Sequence, residues 1–301
     1  MVDSTENILR NRISKKRKIE MSKYGRTKMY DEISTFLFGN RRTAFSLVNH
    51  SLAMMDDNID TTTNTKRLER AKKILTKAFE NEKISIKQDW ENDISKLGQK
   101  LLLLHKEGFV FAADIFHEVI NYWNIEDINL SRKGILLKSS ILHKLNLDIG
   151  RSIGIQFLFL LCPELDKKTI ASIASTYGIS IKLADNLSDL KEDLEKGFIN
   201  ISAENIKKYH IKITKLSQKD LNGYIKEELS RIKRAYQKGD RVLGKCLQQF
   251  PSSREGLLIF QKIAHTWLKQ VSEIYGNNRR TTISKTKTKS AIIYIKLKKR
   301  K

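Results

Sequence analysis

Residues 177–202 read YGISIKLADNLSDLKEDLEKGFINIS, and within them Asp185, Asp189 and Asp193 recur at intervals of four. Side chains four apart on a helix stand one turn above each other on the same face. The spacing therefore predicts a three-rung ladder of carboxylates, about 12 Å long. Ile179, Ile181, Leu183, Leu187 and Leu190 surround the aspartates, so the acids interrupt a helix otherwise equipped for burial. Like charges at this spacing repel and destabilise a bare helix. A hard divalent cation with oxygen ligands, Mg2+ above all, is the natural partner to offset that repulsion.

A second acidic cluster lies upstream in MDDNID, residues 55–60, where Asp56 and Asp60 form another pair at the same spacing beside Asp57. Leu52, Met54, Met55 and Ile59 surround it as apolar residues surround the first ladder. In a chain that is 30% charged, a single run of this kind usually marks a solvated helix face. Two rows of equal spacing, each on an apolar helix, instead suit a cavity in which they face each other around metal ions and a diphosphate.

Outward from these rows the chain reads as helix almost throughout. Apolar residues fall at helical spacing over Tyr30–Met55, Arg67–Phe79, Ile84–His105, Phe109–Trp123, Ile135–Cys162, Lys168–Glu195, Lys219–Gln237 and Ser253–Tyr275. The two prolines, Pro163 and Pro251, fall between segments. Strand–helix alternation and a fixed repeat are both lacking. The longest apolar run, Ile153 to Cys162, is about half of the ~20 residues a membrane span needs and reads as a buried helix. No opening stretch has a signal peptide's apolar centre. Cys162 and Cys246 fit no CxxC pattern, which suits a reducing cytoplasm.

The net charge of +23 is concentrated at the ends. Arg10 to Lys28 holds nine Lys/Arg and one acid, and Arg279 to Lys301 holds ten Lys/Arg and no acid. The rest carries 38 basic and 33 acidic residues. The expected organisation is a basic extension over 1–28, one all-helical domain over 29–278 and a basic tail over 279–301. Such tails can hold a protein at an anionic membrane, at roughly 1 kcal/mol per Lys or Arg near the surface. The body shows no zinc finger, no RNP-like motif and no repeated basic face, so no specific nucleic-acid partner is expected.

Two short motifs lose their meaning in a helical chain. Gly150-Arg151-Ser152-Ile153-Gly154 matches a nucleophile elbow, which works only at a strand-to-helix turn. Glycines that let two helices approach closely are the better account. Residues 239–246, GDRVLGKC, approach a phosphate-binding P-loop but carry Cys246 where Ser or Thr must ligate Mg2+. The six histidines lack H-E-x-x-H spacing.

The chain resembles the squalene/phytoene synthases, members of the class I isoprenoid synthases. RRTAFSLVNHSLAMMDDNID, residues 41–60, is similar to the family's helix ending in D-D-x-x-D, and residues 177–202 are similar to its second, more specific aspartate signature. LDIGRSIG, residues 147–154, resembles the glycine-kinked helix before that signature, and residues 267–289 resemble the closing helix with its Tyr-to-Arg/Lys run. The resemblance implies an all-α, single-domain bundle of the isoprenoid synthase type with a central apolar cavity. It implies Mg2+-dependent, head-to-head condensation of two prenyl diphosphates to a phytoene- or squalene-type hydrocarbon. Asp56, Asp60, Asp185, Asp189 and Asp193 would be the catalytic metal ligands, and Tyr275 and Arg280 would contact the diphosphate. NADPH would be needed only for squalene, and no dinucleotide fingerprint is visible. The implied location is cytoplasmic, with peripheral contact at the inner face of the membrane.

The chain departs from the family pattern at several positions. Ala53 and Ser188 stand where the family has arginines, Lys182 where it has Gln, Arg151 where it has a kink glycine and Asp185 where it has Asn. The missing guanidiniums remove bidentate phosphate contacts. Two alternatives stay open. A head-to-tail prenyl diphosphate synthase would follow D-D-x-x-D with Arg-Arg-Gly, where this chain has TTTNTKRLER, residues 61–70. A non-catalytic relative would bind a lipid, a partner or nucleic acid.

Overall fold

A computed structural model of the chain describes residues 36–61, 65–213 and 218–275, without the side chains of 56–61 and 218–220. The basic extensions at both ends lie outside the described residues. Among the described residues there is no strand. The elements are α1 (Gly39–Thr61), α2 (Lys66–Phe79), α3 (Asp89–Lys106), α4 (Ala112–Ser131) and α5 (Ser139–Leu161). They continue with α6 (Lys167–Ser188), α7 (Leu190–Lys196), α8 (Ala203–Lys208), α9 (Gln218–Gln249), a 3-10 turn (Pro251–Ser253) and α10 (Arg254–Tyr275).

The helices form because their apolar stripes have a shared core to enter. In α2, Leu68, Ala71, Ile74, Leu75 and Ala78 are buried while the lysines between them are left outward. The expected buried helix is α5, where every residue from Gly154 to Leu161 is buried. Around α6 pack α5, α9 and α10, while α1 packs on α3, α4 and α5. One continuous apolar cluster runs from Leu37 to Val271 through all these helices. Trp123, Tyr177, Tyr236 and Phe260 are its largest fully buried side chains.

Small residues set how closely α5 and α6 meet. A Cβ placed on Gly150 would lie 2.1 Å from the Gly178 carbonyl oxygen, and one on Gly154 would lie 3.1 Å from the Ala174 Cβ. The glycines of the elbow-like run are therefore packing glycines, and the two helices run antiparallel through this contact. Gly256 on α10 meets the Leu161 carbonyl oxygen at 2.3 Å by the same measure.

Several expected boundaries shift, and the segment expected to end at Trp123 runs on to Ser131 as α4. The segment expected over Lys168–Glu195 divides at Asp189, whose backbone (φ −100°, ψ 9°) leaves the helical region between α6 and α7. The segment expected to end at Gln237 runs on to Gln249. Its Gly239 is held inside the helix because the Tyr177 ring lies against it, 2.9 Å from where a Cβ would sit. The short α8, capped by the Ser202 hydroxyl accepting from the Asn205 amide at 3.3 Å, was not foreseen.

No helix among the described residues is long and apolar enough to cross a membrane.

Candidate functional site

The aspartate ladder survives the break between α6 and α7. The Asp189 amide donates to the Asp185 carbonyl at 3.0 Å, and the Asp193 amide donates to the Asp189 carbonyl at 2.9 Å. The helical four-residue linkage thus crosses the non-helical residue, and all three carboxylates remain part-buried along one edge.

Each rung has a different environment. Asp185 is paired with Lys182, Nζ to Oδ2, at 2.8 Å. Asp193 accepts from Asn200 Nδ2 at 2.6 Å. Asp189 stands between them, and its carboxyl is pushed up to about 8, first by burial and then by the charges of Asp185, Asp193 and Glu192, with Lys182 opposing. Burial and like charge both disfavour the ionised form. A bound divalent cation would reverse that balance.

Behind Asp193 lies a guanidinium that sequence reading missed. Arg132, buried at the end of α4, donates Nη2 to Asn200 Oδ1 at 2.7 Å and Nη1 to the Ile199 carbonyl at 3.2 Å. Its Nε donates to Asn129 Oδ1 at 2.7 Å. Asn200 is thereby fixed with its amide NH2 aimed at Asp193. Burial lowers the Arg132 pKa, opposed by the charges of Asp193 and Glu126. The loop is closed by Gly197, at φ +91°, whose carbonyl accepts from the Gly134 amide at 2.8 Å. No local sequence signal marks Arg132 as a brace, because the Ile199 and Asn200 groups it holds are 67 and 68 residues away.

Tyr275, the last described residue of α10, joins this edge. Its phenol is pushed up to about 12, by burial first and by the Asp189 carboxylate second. Tyr224 on α9 lies beyond it, raised by burial, then by Glu228, with Tyr275 a smaller contributor. Arg280 lies outside the described residues, as do the side chains of Asp56 and Asp60, which sit on the last turns of α1. The structure therefore brings together Asp185, Asp189, Asp193 and Tyr275.

The donor chemistry of the three rungs, hard carboxylate oxygens under mutual repulsion, fits Mg2+. Among the described residues, however, no three His, Cys, Asp or Glu side chains converge as a ready-made metal site.

The P-loop-like run is part of α9, and its Asp240 is a structural acceptor. Asp240 Oδ1 accepts from Gln261 Nε2 at 2.9 Å and from the Tyr177 hydroxyl at 2.5 Å, and pairs with His265 Nε2 at 2.8 Å. These bonds tie α9 to α6 and α10. Cys162 and Cys246 are both buried and free, and burial pushes the Cys162 thiol up to about 12.

A cavity of about 470 Å3 lies between α5, α6 and α9, with Asn146, Asn186, Tyr224, Glu228 and Arg231 in its wall. Its lining is largely polar, so it is not the apolar cavity expected for a prenyl chain.

The fold these elements build is similar to that of a solved squalene synthase. The chain superposes on the squalene synthase HpnC from Alicyclobacillus acidocaldarius with a TM-score of 0.60, covering 88% of this chain and 94% of that one at 15% identity. No protein-family model matches the sequence, and no curated protein does. The likeness thus resides in the all-helical fold.

Proposed function

We propose that this chain is a Mg2+-dependent prenyltransferase that joins two prenyl diphosphates head-to-head to a phytoene- or squalene-type hydrocarbon. The observation that carries the reading is the stacked row of Asp185, Asp189 and Asp193, with Asp189 charge-strained between its neighbours and Tyr275 beside it. A row of carboxylates kept at that cost in a squalene-synthase fold is what a diphosphate-and-metal site requires.

In this reading Asp56, Asp60, Asp185, Asp189 and Asp193 hold Mg2+, which when bound supplies Lewis-acid neutralisation of the departing diphosphate. Asn200, braced by Arg132, fixes the orientation of Asp193. Tyr275 and Arg280 bind diphosphate oxygens. Lys182, now paired with Asp185, is the cation available within the second signature to stand in for the missing Ser188 guanidinium. The apolar interior of the bundle excludes water from the allylic cation. Without a dinucleotide fingerprint, a phytoene-type product is favoured over one that consumes NADPH. The basic ends hold the protein against an anionic membrane, from which its substrates come and into which its hydrocarbon product partitions.

The test is incubation of purified full-length protein with radiolabelled geranylgeranyl or farnesyl diphosphate and Mg2+, followed by extraction of hydrocarbons. Label should pass into a C40 or C30 hydrocarbon and stop when Mg2+ is chelated. Longer prenyl diphosphates in place of hydrocarbon would mark head-to-tail chemistry. A second reading, a non-catalytic relative, is favoured by the absence of guanidiniums at Ala53 and Ser188. Binding of prenyl diphosphate without any product would support it.

A further inference from the structure

The cavity between α5, α6 and α9 lies beside the ladder but has a chemistry of its own. Asn200 forms part of its wall and also holds Asp193, so the two share one side chain. Asn186, one position past Asp185 in the chain, is only 5% exposed and forms another part of the wall. Its Nδ2 donates to Asn146 Oδ1 at 3.1 Å, while its own Oδ1 is buried with no hydrogen-bond partner among the described residues. A buried acceptor left without a donor is destabilising. The χ2 torsion of an asparagine is soft, so the amide can turn its oxygen onto a donor within the cavity. Tyr224 forms part of the same wall.

The charges in this wall are already compensated. Arg231 donates Nη1 to Glu228 Oε1 at 3.2 Å, and its Nη2 contacts His143 Nδ1 at 3.0 Å. His143 is kept neutral by burial and by Arg231, both of which lower its pKa. Glu227 accepts from Lys208 Nζ at 2.6 Å. The N-terminal amide of α5, on Ser139, is taken by Glu204 at 2.8 Å. The Arg231 guanidinium is thus already engaged by Glu228 and His143, and its charge disfavours a cation. What the Asn186 acceptor lacks is a donor, and a hydroxyl can supply one while also accepting.

We propose that this cavity is a second binding site, for a neutral polyhydroxylated small molecule of monosaccharide size. Its volume of about 470 Å3 lies in the range of small-molecule pockets. A hydroxyl of the occupant donates to Asn186 Oδ1, another pairs with the Tyr224 phenol, and a third donates to Glu228. The occupant presses on Asn200 and so reaches the last rung of the ladder through one hydrogen bond. This site does not depend on the prenyltransferase reading.

Saturation-transfer NMR on the full-length protein, with D-glucose and myo-inositol as probes and inorganic pyrophosphate as the anionic control, tests the proposal. At least one polyol should give a saturable signal. Asn186→Leu should weaken it about tenfold, the effect of one hydrogen bond to a buried group, and Tyr224→Phe should weaken it severalfold. Asn186→Leu nearly conserves volume and removes the orphaned amide, and Tyr224→Phe removes a single oxygen, so at least one variant stays folded, as circular dichroism will show. No saturable polyol signal, equal signals from wild type and folded variants, or pyrophosphate competing with the polyol for the same site would each overturn it.

Discussion

The Asp189 carboxylate, at the break between α6 and α7, and the Tyr275 phenol at the end of α10 come together although α7, α8 and α9 all lie between them along the chain. The Asp189 carboxylate adds to burial in holding the proton on Tyr275, while Asp189 itself is held protonated by burial and by Asp185, Asp193 and Glu192. A pair so arranged stays uncharged until something positive arrives, which gives the ladder a definite signature in solution.

The first prediction concerns pH. The Asp189 pKa is about 8 when folded, against about 3.9 in an unfolded chain. Between those values the folded state holds a proton that the unfolded state has lost, so this group makes stability fall as pH rises from about 4 to about 8. Thermal melts in EDTA across that window should show the decline in wild type and a flatter profile in Asp189→Asn. The same slope in both proteins would count against a strained Asp189.

Metal should act in the opposite sense. Carboxylates must be deprotonated to ligate Mg2+, and a ligand that binds only the folded state stabilises it. Mg2+ should therefore raise the melting temperature more at pH 8 than at pH 5. In Asp189→Ala that gain should vanish along with turnover, while the metal-free variant melts no lower than wild type. A large loss of stability in metal-free Asp189→Ala would identify Asp189 as structural.

Glycine replacements should separate by position. Gly150→Ala and Gly178→Ala drive a methyl group into the opposing backbone, at 2.1 and 2.3 Å, and should exceed the usual overpacking cost of about 1–3 kcal/mol. Gly244→Ala on α9 meets nothing within 4 Å and should stabilise by about 0.5–1 kcal/mol, the helix preference for Ala over Gly. Urea unfolding of the three variants distinguishes these outcomes.

The basic extensions carry a separate prediction. Removing residues 1–28, or only Lys296 to Lys301, should weaken binding to anionic vesicles while sparing activity on detergent-solubilised substrate. Each Lys or Arg near the surface is worth about 1 kcal/mol at most, and the effect should fade with salt. Equal vesicle binding by trimmed and full-length protein would reject this role.

What the sequence disclosed follows from how local each signal is. Helix after helix could be read because apolar stripes recur within one or two turns, and the ladder could be read because its spacing is that of a single turn. The interruption at Asp189 was hidden because Leu187 and Leu190 continue the apolar pattern across it. Gly239 suggested an end to α9, yet it is a seat for the Tyr177 ring, supplied by a helix far away in sequence. Arg132 and Asn200 were invisible for the same reason: a buried guanidinium and the amide it braces are defined by the folded chain. Tyr275 came into view through family likeness, with no spacing rule to announce it.

The backbone contact between Gly150 and Gly178 reaches beyond packing. Two rods that touch at a fixed point must part on either side of it unless side chains draw them together. Towards Gly154 and Ala174 small residues keep α5 and α6 close; towards Asn146 and Asn186 larger polar side chains must span the gap. The glycine pair is thus the apex of a wedge that widens towards the aspartates. A change in the splay of these helices, however small at the apex, is magnified at the Asn146–Asn186 contact. The width of the polar cleft that Asn146 and Asn186 span is accordingly set by two residues that have no side chain at all.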